Sequence, residues 1–110
     1  MTENQQIAET IAQHLGGLHR LKVMTGSKDF VAVEKGLRFK IGSGARSKTN
    51  GTVTHITITL TPADLYDVKT QRVRGTTVTE VESVEGIYND QLMDTFEAMT
   101  GMYLTFSARA

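Results

Sequence analysis

Few residues in this sequence have types and spacings that could support catalysis or metal binding. The 110-residue chain contains no Cys, which excludes disulfides, thiolate zinc sites and cysteine nucleophiles. Its three histidines are His14, His19 and His55, and no two of them have the spacing that a zinc site needs on a helix or a strand. The sequence therefore predicts neither a metal site nor a cofactor.

The segment Thr25-Gly26-Ser27-Lys28 contains some residues of a phosphate-binding loop. That motif needs a glycine five residues before a Gly-Lys-Ser/Thr end, and a helix after it. Here residue 21 is Leu, Ser27 separates the glycine from the lysine, and the strand-like Phe30 follows. We interpret the segment as a plain turn whose tip, with Lys28 and exposed amide groups, is a candidate contact point.

Carboxylates and hydroxyls offer no better catalytic arrangement. Asp64 and Asp67 flank Tyr66 beside a proline turn, but paired carboxylates act as acid and base only in a pocket that shifts their pKa values. A short turn more often uses Asp as a cap. No serine has the surroundings of a nucleophile elbow. We therefore predict that the protein is not an enzyme.

Charge is unevenly distributed along the chain, although the formal net charge is zero. Residues 20–48 hold eight basic and two acidic side chains, and residues 64–110 hold four basic and eight acidic ones. Arg38 and Lys40 are expected on one strand face, with Arg46 and Lys48 on the adjoining loop. Such a stripe could bind a phosphate backbone. Because few aromatic residues are interleaved with it, a solvated face that pairs with the acidic half is the simpler interpretation, and it favours self-association.

The hydrophobic pattern predicts one α+β domain over residues 1–110. A helix begins with a capping box at Thr2 and Gln5, and it ends at Gly16-Gly17. A last helix, capped by Asn89, ends at Gly101. Predicted strands cover residues 21–23, 30–33, 37–41, 56–60, 66–73 and 76–84, with a hairpin turn at Asn50-Gly51, another at Arg74-Gly75, and an extended tail or edge strand over residues 102–106. The expected architecture is an antiparallel sheet of about five strands, one face of which is covered by the N-terminal and C-terminal helices.

The sequence contains no apolar run of the roughly 20 residues that a membrane helix needs. Its polar start, residues 2–6, lacks the basic-then-apolar order of a secretory signal. We therefore expect a cytoplasmic protein that does not contact a membrane.

Seven stretches of the chain together support a family resemblance. They are Leu15-Gly16-Gly17, Met24-Thr25-Gly26-Ser27-Lys28-Asp29-Phe30, Gly36-Leu37-Arg38-Phe39-Lys40-Ile41, residues 56–68, Val73-Arg74-Gly75, residues 84–88 and Thr100-Gly101-Met102-Tyr103. In this order they resemble a family of small, mostly uncharacterised proteins of bacteriophages, prophages and other mobile elements. The resemblance implies a bacterial host cell and a role in binding, and it implies no catalytic residue.

Three functional hypotheses remain open on these grounds. The first is a non-enzymatic phage-type accessory protein that binds a host or phage macromolecule, such as an inhibitor of a bacterial defence system. The second is a nucleic-acid-binding protein that uses the basic residues 20–48, and the third is an oligomeric binder of a small nucleotide-like anion held by Lys28, Arg72 and Arg74. The candidate binding residues are Thr25, Ser27, Lys28, Arg38, Lys40, Arg46, Lys48, Arg72 and Arg74.

Overall fold

The computed structural model describes residues 2–42, 45–47 and 51–102, which form an α+β arrangement of an antiparallel sheet and three helices. In chain order the elements are α1 (Glu3–His14), α2 (Leu18–Thr25), β1 (Lys28–Val33), β2 (Gly36–Lys40), β3 (Arg46–Ser47), β4 (Gly51–Thr52), β5 (His55–Leu60), β6 (Tyr66–Arg74), β7 (Thr77–Ile87), a 3-10 turn (Asn89–Gln91) and α3 (Leu92–Thr100). The predicted fold class is thus confirmed.

The main sheet has the strand order β1-β2-β5-β6-β7, and every neighbouring pair is antiparallel. Phe39 is the partner of Ile56, and Ile58 is the partner of both Leu37 and Val68. Side chains alternate along a strand, so these five residues share one face, and all of them are buried. The predicted pairing of residues 37–41 with 56–60, and the hairpin that turns at Arg74-Gly75, are both confirmed. Strands β3 and β4 form a separate short ribbon.

The helices cover the apolar face of this sheet. α1 packs on β1 and β2, and α3 packs on β6 and β7. In the core, the ring of Phe39 lies 5.1 Å from that of Phe30 and 6.2 Å from that of Phe96, measured between centroids. Ile11 and Leu15 of the first helical segment are fully buried beside them. Among the described residues, no helix covers the opposite face of the sheet.

The start of α1 follows its sequence signal. The Thr2 hydroxyl accepts a hydrogen bond from the Gln5 amide (3.2 Å), and the Gln5 side chain accepts one from the Thr2 amide (3.0 Å). This reciprocal pair satisfies two amide groups that have no partner within the helix. The predicted capping box is confirmed.

The predicted strand over residues 21–23 is wrong, because these residues form the middle of α2. Gly16 and Gly17 both have positive φ (98° and 97°), which redirects the chain so that a second helix begins at once. Leu21 and Thr25, four residues apart, form its buried side, whereas Val23 is exposed. Three residues of alternation were too short to distinguish a strand from one helical turn.

The predicted cap at Asn89 is also wrong. Asn89 begins a 3-10 turn whose flanking residue is Tyr88, and no side chain caps it. α3 follows from Leu92 and ends, as predicted, at Gly101, which has a left-handed φ of 70°. Of the other sequence predictions, Asn50 and the tail beyond Met102 lie outside the described residues. None of the helices in the described part of the chain is long and apolar enough to cross a membrane.

Candidate functional site

The uncovered side of the main sheet, here named the open face, carries polar and charged side chains in two rows. Strand register aligns Arg38 with Thr57 and Thr57 with Lys69, and it aligns Lys40 with His55 and His55 with Gln71. The rows are linked, because the Thr57 hydroxyl donates to the Gln71 side-chain carbonyl at 3.4 Å. Arg38 and Lys40 therefore lie on one strand face, as the sequence predicted.

Two cations, Arg38 and Lys40, lie close to His55 on the β2–β5 part of the open face. The pKa of His55 is lowered, first by burial and then by the positive charges of Arg38 and Lys40, while Asp29 acts in the opposite direction. An imidazole this close to two cations resists protonation. A ligand that carries negative charge would be favoured at the same place.

Strand β7, at the other edge of the sheet, carries Glu80, Glu82 and Glu85. Glu80 is the register partner of Gln71 and lies on the open face, whereas Glu82 is the partner of the buried Thr70 and lies on the helix-covered face. Two large apolar side chains are exposed on the outermost strands, Val31 with 54% and Val78 with 56% of their surface accessible. The basic and acidic runs of the sequence are thus separated across one sheet, with an exposed valine on each edge strand.

A cleft opens at the end of the sheet where β1 begins and β2 ends, and it is here named the end cleft. Its volume is about 790 Å³. The described residues that line it are Met24, Thr25, Gly26, Lys28, Lys40, Ile41, Gly42, Thr52, Val53, Thr54 and Met102. Sequence reasoning missed this site, because its walls come from α2, the start of β1, the end of β2, the β4–β5 segment and Met102 beyond α3. Lys28 and Lys40 were the only signal, and they were assigned to a turn and a strand face instead.

The Thr25–Lys28 turn is not the exposed tip that the sequence suggested. Thr25 and Ser27 are each only 3% exposed. The Thr25 hydroxyl donates to the Leu21 carbonyl, and the Thr25 and Ser27 hydroxyls are hydrogen-bonded to each other. Their hydroxyl groups therefore serve the end of α2 and are not available at the surface. Lys28, the remaining member of the turn, is exposed and lines the end cleft.

The other predicted binding residues are placed separately. Arg72 Nε donates to the Thr52 carbonyl at 3.0 Å, so Arg72 supports a wall of the end cleft. Arg74 is exposed at the β6–β7 turn. Arg46 lies in β3, with Thr52 as its backbone partner, and Lys48 lies outside the described residues. The structure thus brings Lys28 and Lys40 together, and it connects Arg72 to the same region through Thr52.

No group of three or more His, Asp or Glu side chains within the described residues is arranged to hold a metal ion. The chain matches no protein-family model, no curated protein and no solved structure.

Proposed function

We propose that this protein is a non-enzymatic accessory protein that binds another protein through the open face. The observation that carries the proposal is the separation of charge on that face, with Arg38 and Lys40 on β2 and Glu80 on β7. A surface with two signs of charge favours a partner with the complementary pattern, and it disfavours partners of uniform charge. The resemblance to small phage-encoded proteins supports the same class of function.

The face also carries apolar side chains that such binding can use. It belongs to a five-stranded antiparallel sheet, whose regular backbone fixes the positions of its side chains and so lowers the entropic cost of binding. Val31 and Val78 supply exposed apolar surface on opposite edge strands. Charged residues would then set the orientation of the partner, and the valines would contribute hydrophobic contact.

The proposed partner is a host or phage protein in the cytoplasm of a bacterium, with a component of a defence system as the leading kind. Inhibition would follow if the open face covered a surface that the partner needs. Self-association through the opposite charges remains a separate prediction, which sedimentation of the purified protein at several salt concentrations tests.

The test is capture of a partner from bacterial lysate on the immobilised protein. Wild type should retain a specific, stoichiometric partner, and the double variant Arg38→Glu, Lys40→Glu should lose it. The matched control is Lys22→Glu on α2, whose ammonium group lies 5.9 Å from the centre of the Phe30 ring on the helical side of the sheet. The proposal is contradicted if wild type captures no specific protein. It is also contradicted if the Arg38→Glu, Lys40→Glu variant captures as much as the Lys22→Glu control.

Nucleic-acid binding is the second candidate function, and the placement of Arg38 and Lys40 on one face of β2 favours it. These cations would contact phosphate groups, so affinity should fall steeply as salt concentration rises. Titration into labelled single-stranded and duplex DNA and RNA, at low and physiological salt, tests this function. Binding by wild type that disappears in Arg38→Glu, Lys40→Glu supports it, and unchanged affinity in that variant removes its basis.

A further inference from the structure

Two lysines lie side by side at the mouth of the end cleft. Lys28 of β1 and Lys40 of β2 are direct partners in the strand register. The register is irregular between Lys28 and Val31, but the two lysines remain opposed, and like charges on opposed residues are unfavourable. Neither lysine has an ion-pair partner among the described residues. An anion bound between them would relieve the repulsion.

The rest of the end cleft is mainly apolar. Ile41 and Val53 are buried to 3% and 2% exposure, and Met24 and Met102 are partly buried packing partners of the core. Small-molecule sites typically have volumes of about 300–1,000 Å³ and combine apolar walls with a few polar groups. Thioether side chains also make favourable contacts with aromatic rings. The end cleft has both the size and the composition of such a site.

The walls of the end cleft are held by backbone contacts. The Gly42 amide donates to the Thr25 carbonyl at 3.0 Å, and a Cβ atom on Gly42 would lie only 2.3 Å from that oxygen. On the other side, the Ile41 amide donates to the Thr54 carbonyl at 2.9 Å. These bonds join the end of α2 to the residues that follow β2, and those residues to the one that precedes β5.

We infer that the end cleft binds a small anion with an apolar or aromatic body, whose charged group contacts Lys28 and Lys40. The ammonium groups act as point charges and therefore accept a carboxylate, a sulfonate or a phosphate monoester. The body of the ligand lies against Met24, Val53 and Met102. This site is distinct from the open face, although Lys40 borders both.

The first probe is 8-anilinonaphthalene-1-sulfonate, an aromatic sulfonate, and its uncharged analogue N-phenyl-1-naphthylamine serves as the comparison. Wild type should bind one sulfonate probe per chain, and its melting temperature should rise with probe concentration, which excludes binding to unfolded protein only. The uncharged analogue should bind at least about tenfold more weakly, a difference of about 1.4 kcal/mol. Equal binding of the two probes overturns the inference.

The variants separate charge from shape. Lys28→Met with Lys40→Met keeps side-chain length and should weaken sulfonate binding at least about tenfold, which corresponds to about 1.4 kcal/mol. The matched control is Lys69→Met on the open face, which should bind like wild type. Thr52→Trp keeps both lysines and fills the cleft, so it should also abolish binding, and it provides a test if the double variant does not fold. Unchanged affinity in the double variant or in Thr52→Trp overturns the inference.

Two natural head groups are then compared by their effect on the melting temperature. Adenosine monophosphate supplies a phosphate and indole-3-acetate supplies a carboxylate, each with an aromatic body. Stabilisation of wild type that is lost in the double variant supports the site and identifies the head group, and stabilisation by neither overturns it. Arg38→Glu should affect capture of a protein partner without affecting these ligands, and Lys28→Met should have the reverse effect. The two proposals can therefore fail independently.

Discussion

His14 Nδ1 lies 3.0 Å from the hydroxyl oxygen of Tyr66, so the last residue of α1 is hydrogen-bonded to the first residue of β6. The two rings meet edge to face, with centroids 5.8 Å apart. Tyr66 is only 3% exposed, and burial raises the pKa of its hydroxyl. This contact joins residues that are 52 positions apart in the chain. It holds the end of the helix against the start of β6.

Removal of the Tyr66 hydroxyl should therefore destabilise the protein. Tyr66→Phe keeps the ring and its packing but loses the hydrogen bond, so the free energy of unfolding should fall by about 1 kcal/mol. Urea denaturation measures the difference. Tyr88→Phe is the control, because Tyr88 is 61% exposed and the loss of its hydroxyl group should change the free energy of unfolding by less than about 0.5 kcal/mol. Equal effects of the two substitutions would contradict a structural role for the His14–Tyr66 contact.

Stability should decrease in mild acid because of His55. Its pKa is lowered by burial, and further by Arg38 and Lys40, so the folded protein resists the proton that the unfolded chain accepts below about pH 6.5. The unfolded state then binds more protons, and the free energy of unfolding falls as the pH falls through this value. Urea denaturation at pH 7.5, 6.5 and 5.5 should show the decrease in wild type, and a smaller decrease in His55→Gln.

The same histidine reports directly on the positive potential of the open face. Arg38→Gln removes the larger of the two positive-charge effects on His55, so the pKa of His55 should rise towards the ordinary value of a histidine. Proton NMR titration of the imidazole resonances measures this change. Lys22→Gln, on α2, serves as the control and should leave the His55 titration unaltered. If the pKa of His55 is the same in Arg38→Gln as in wild type, the Arg38 charge does not act on His55 and the prediction is wrong.

Gly36→Ala should be strongly destabilising. A Cβ atom at this position would lie 2.2 Å from the Ile58 carbonyl oxygen, a backbone atom of the neighbouring strand that cannot move aside without disturbing the sheet. Overpacking of this kind costs about 3 kcal/mol. Gly75→Ala is the comparison: it meets no atom within 4 Å, and its φ of +60° costs about 1 kcal/mol. In thermal and urea unfolding, the Gly36→Ala variant should be clearly less stable than the Gly75→Ala variant.

Thr54→Val tests a hydroxyl that connects three segments at the edge of the end cleft. The Thr54 hydroxyl accepts a hydrogen bond from the Val73 amide at 2.8 Å and lies 2.9 Å from His55 Nδ1. Valine has nearly the same shape, so the loss comes from the unpaired Val73 amide and should be about 2 kcal/mol. Thr59→Val, at a partly buried position on the open face, is the control and should change little. A neutral Thr54→Val would show that water replaces the hydroxyl.

Local signals in the sequence were reliable where one residue type has one strong physical role. The capping box of Thr2 and Gln5 and the helix end at Gly101 are confirmed, because each depends on contacts within one turn of chain. Strands 37–41 and 56–60 were also recognised, since alternation over five residues distinguishes a buried face from a solvated one. By contrast, residues 21–23 were misassigned because a shorter segment fits either period.

The candidate site was harder to predict from the sequence, because its residues are far apart in the chain. Arg38 and Lys40 could be assigned to a common strand face from their spacing alone, and the structure confirms that placement. The burial of Thr25 and Ser27 could not be predicted, because the residues that cover them come from other elements. For the same reason, no pattern in the sequence indicated that Lys28, Val53 and Met102 line one cleft.

The sequence by itself therefore determined the fold class, the start of α1, the end of α3, the main strand pairing and the alternation of basic side chains along β2. These features arise from backbone preferences and from the two-residue period of a strand, which act between near neighbours. Only the tertiary structure decided which face stays uncovered, and only it brought Lys28 and Lys40 to the mouth of an apolar cleft. Both outcomes depend on how helices pack against a sheet, and that packing is set by the combined burial of residues far apart in the chain.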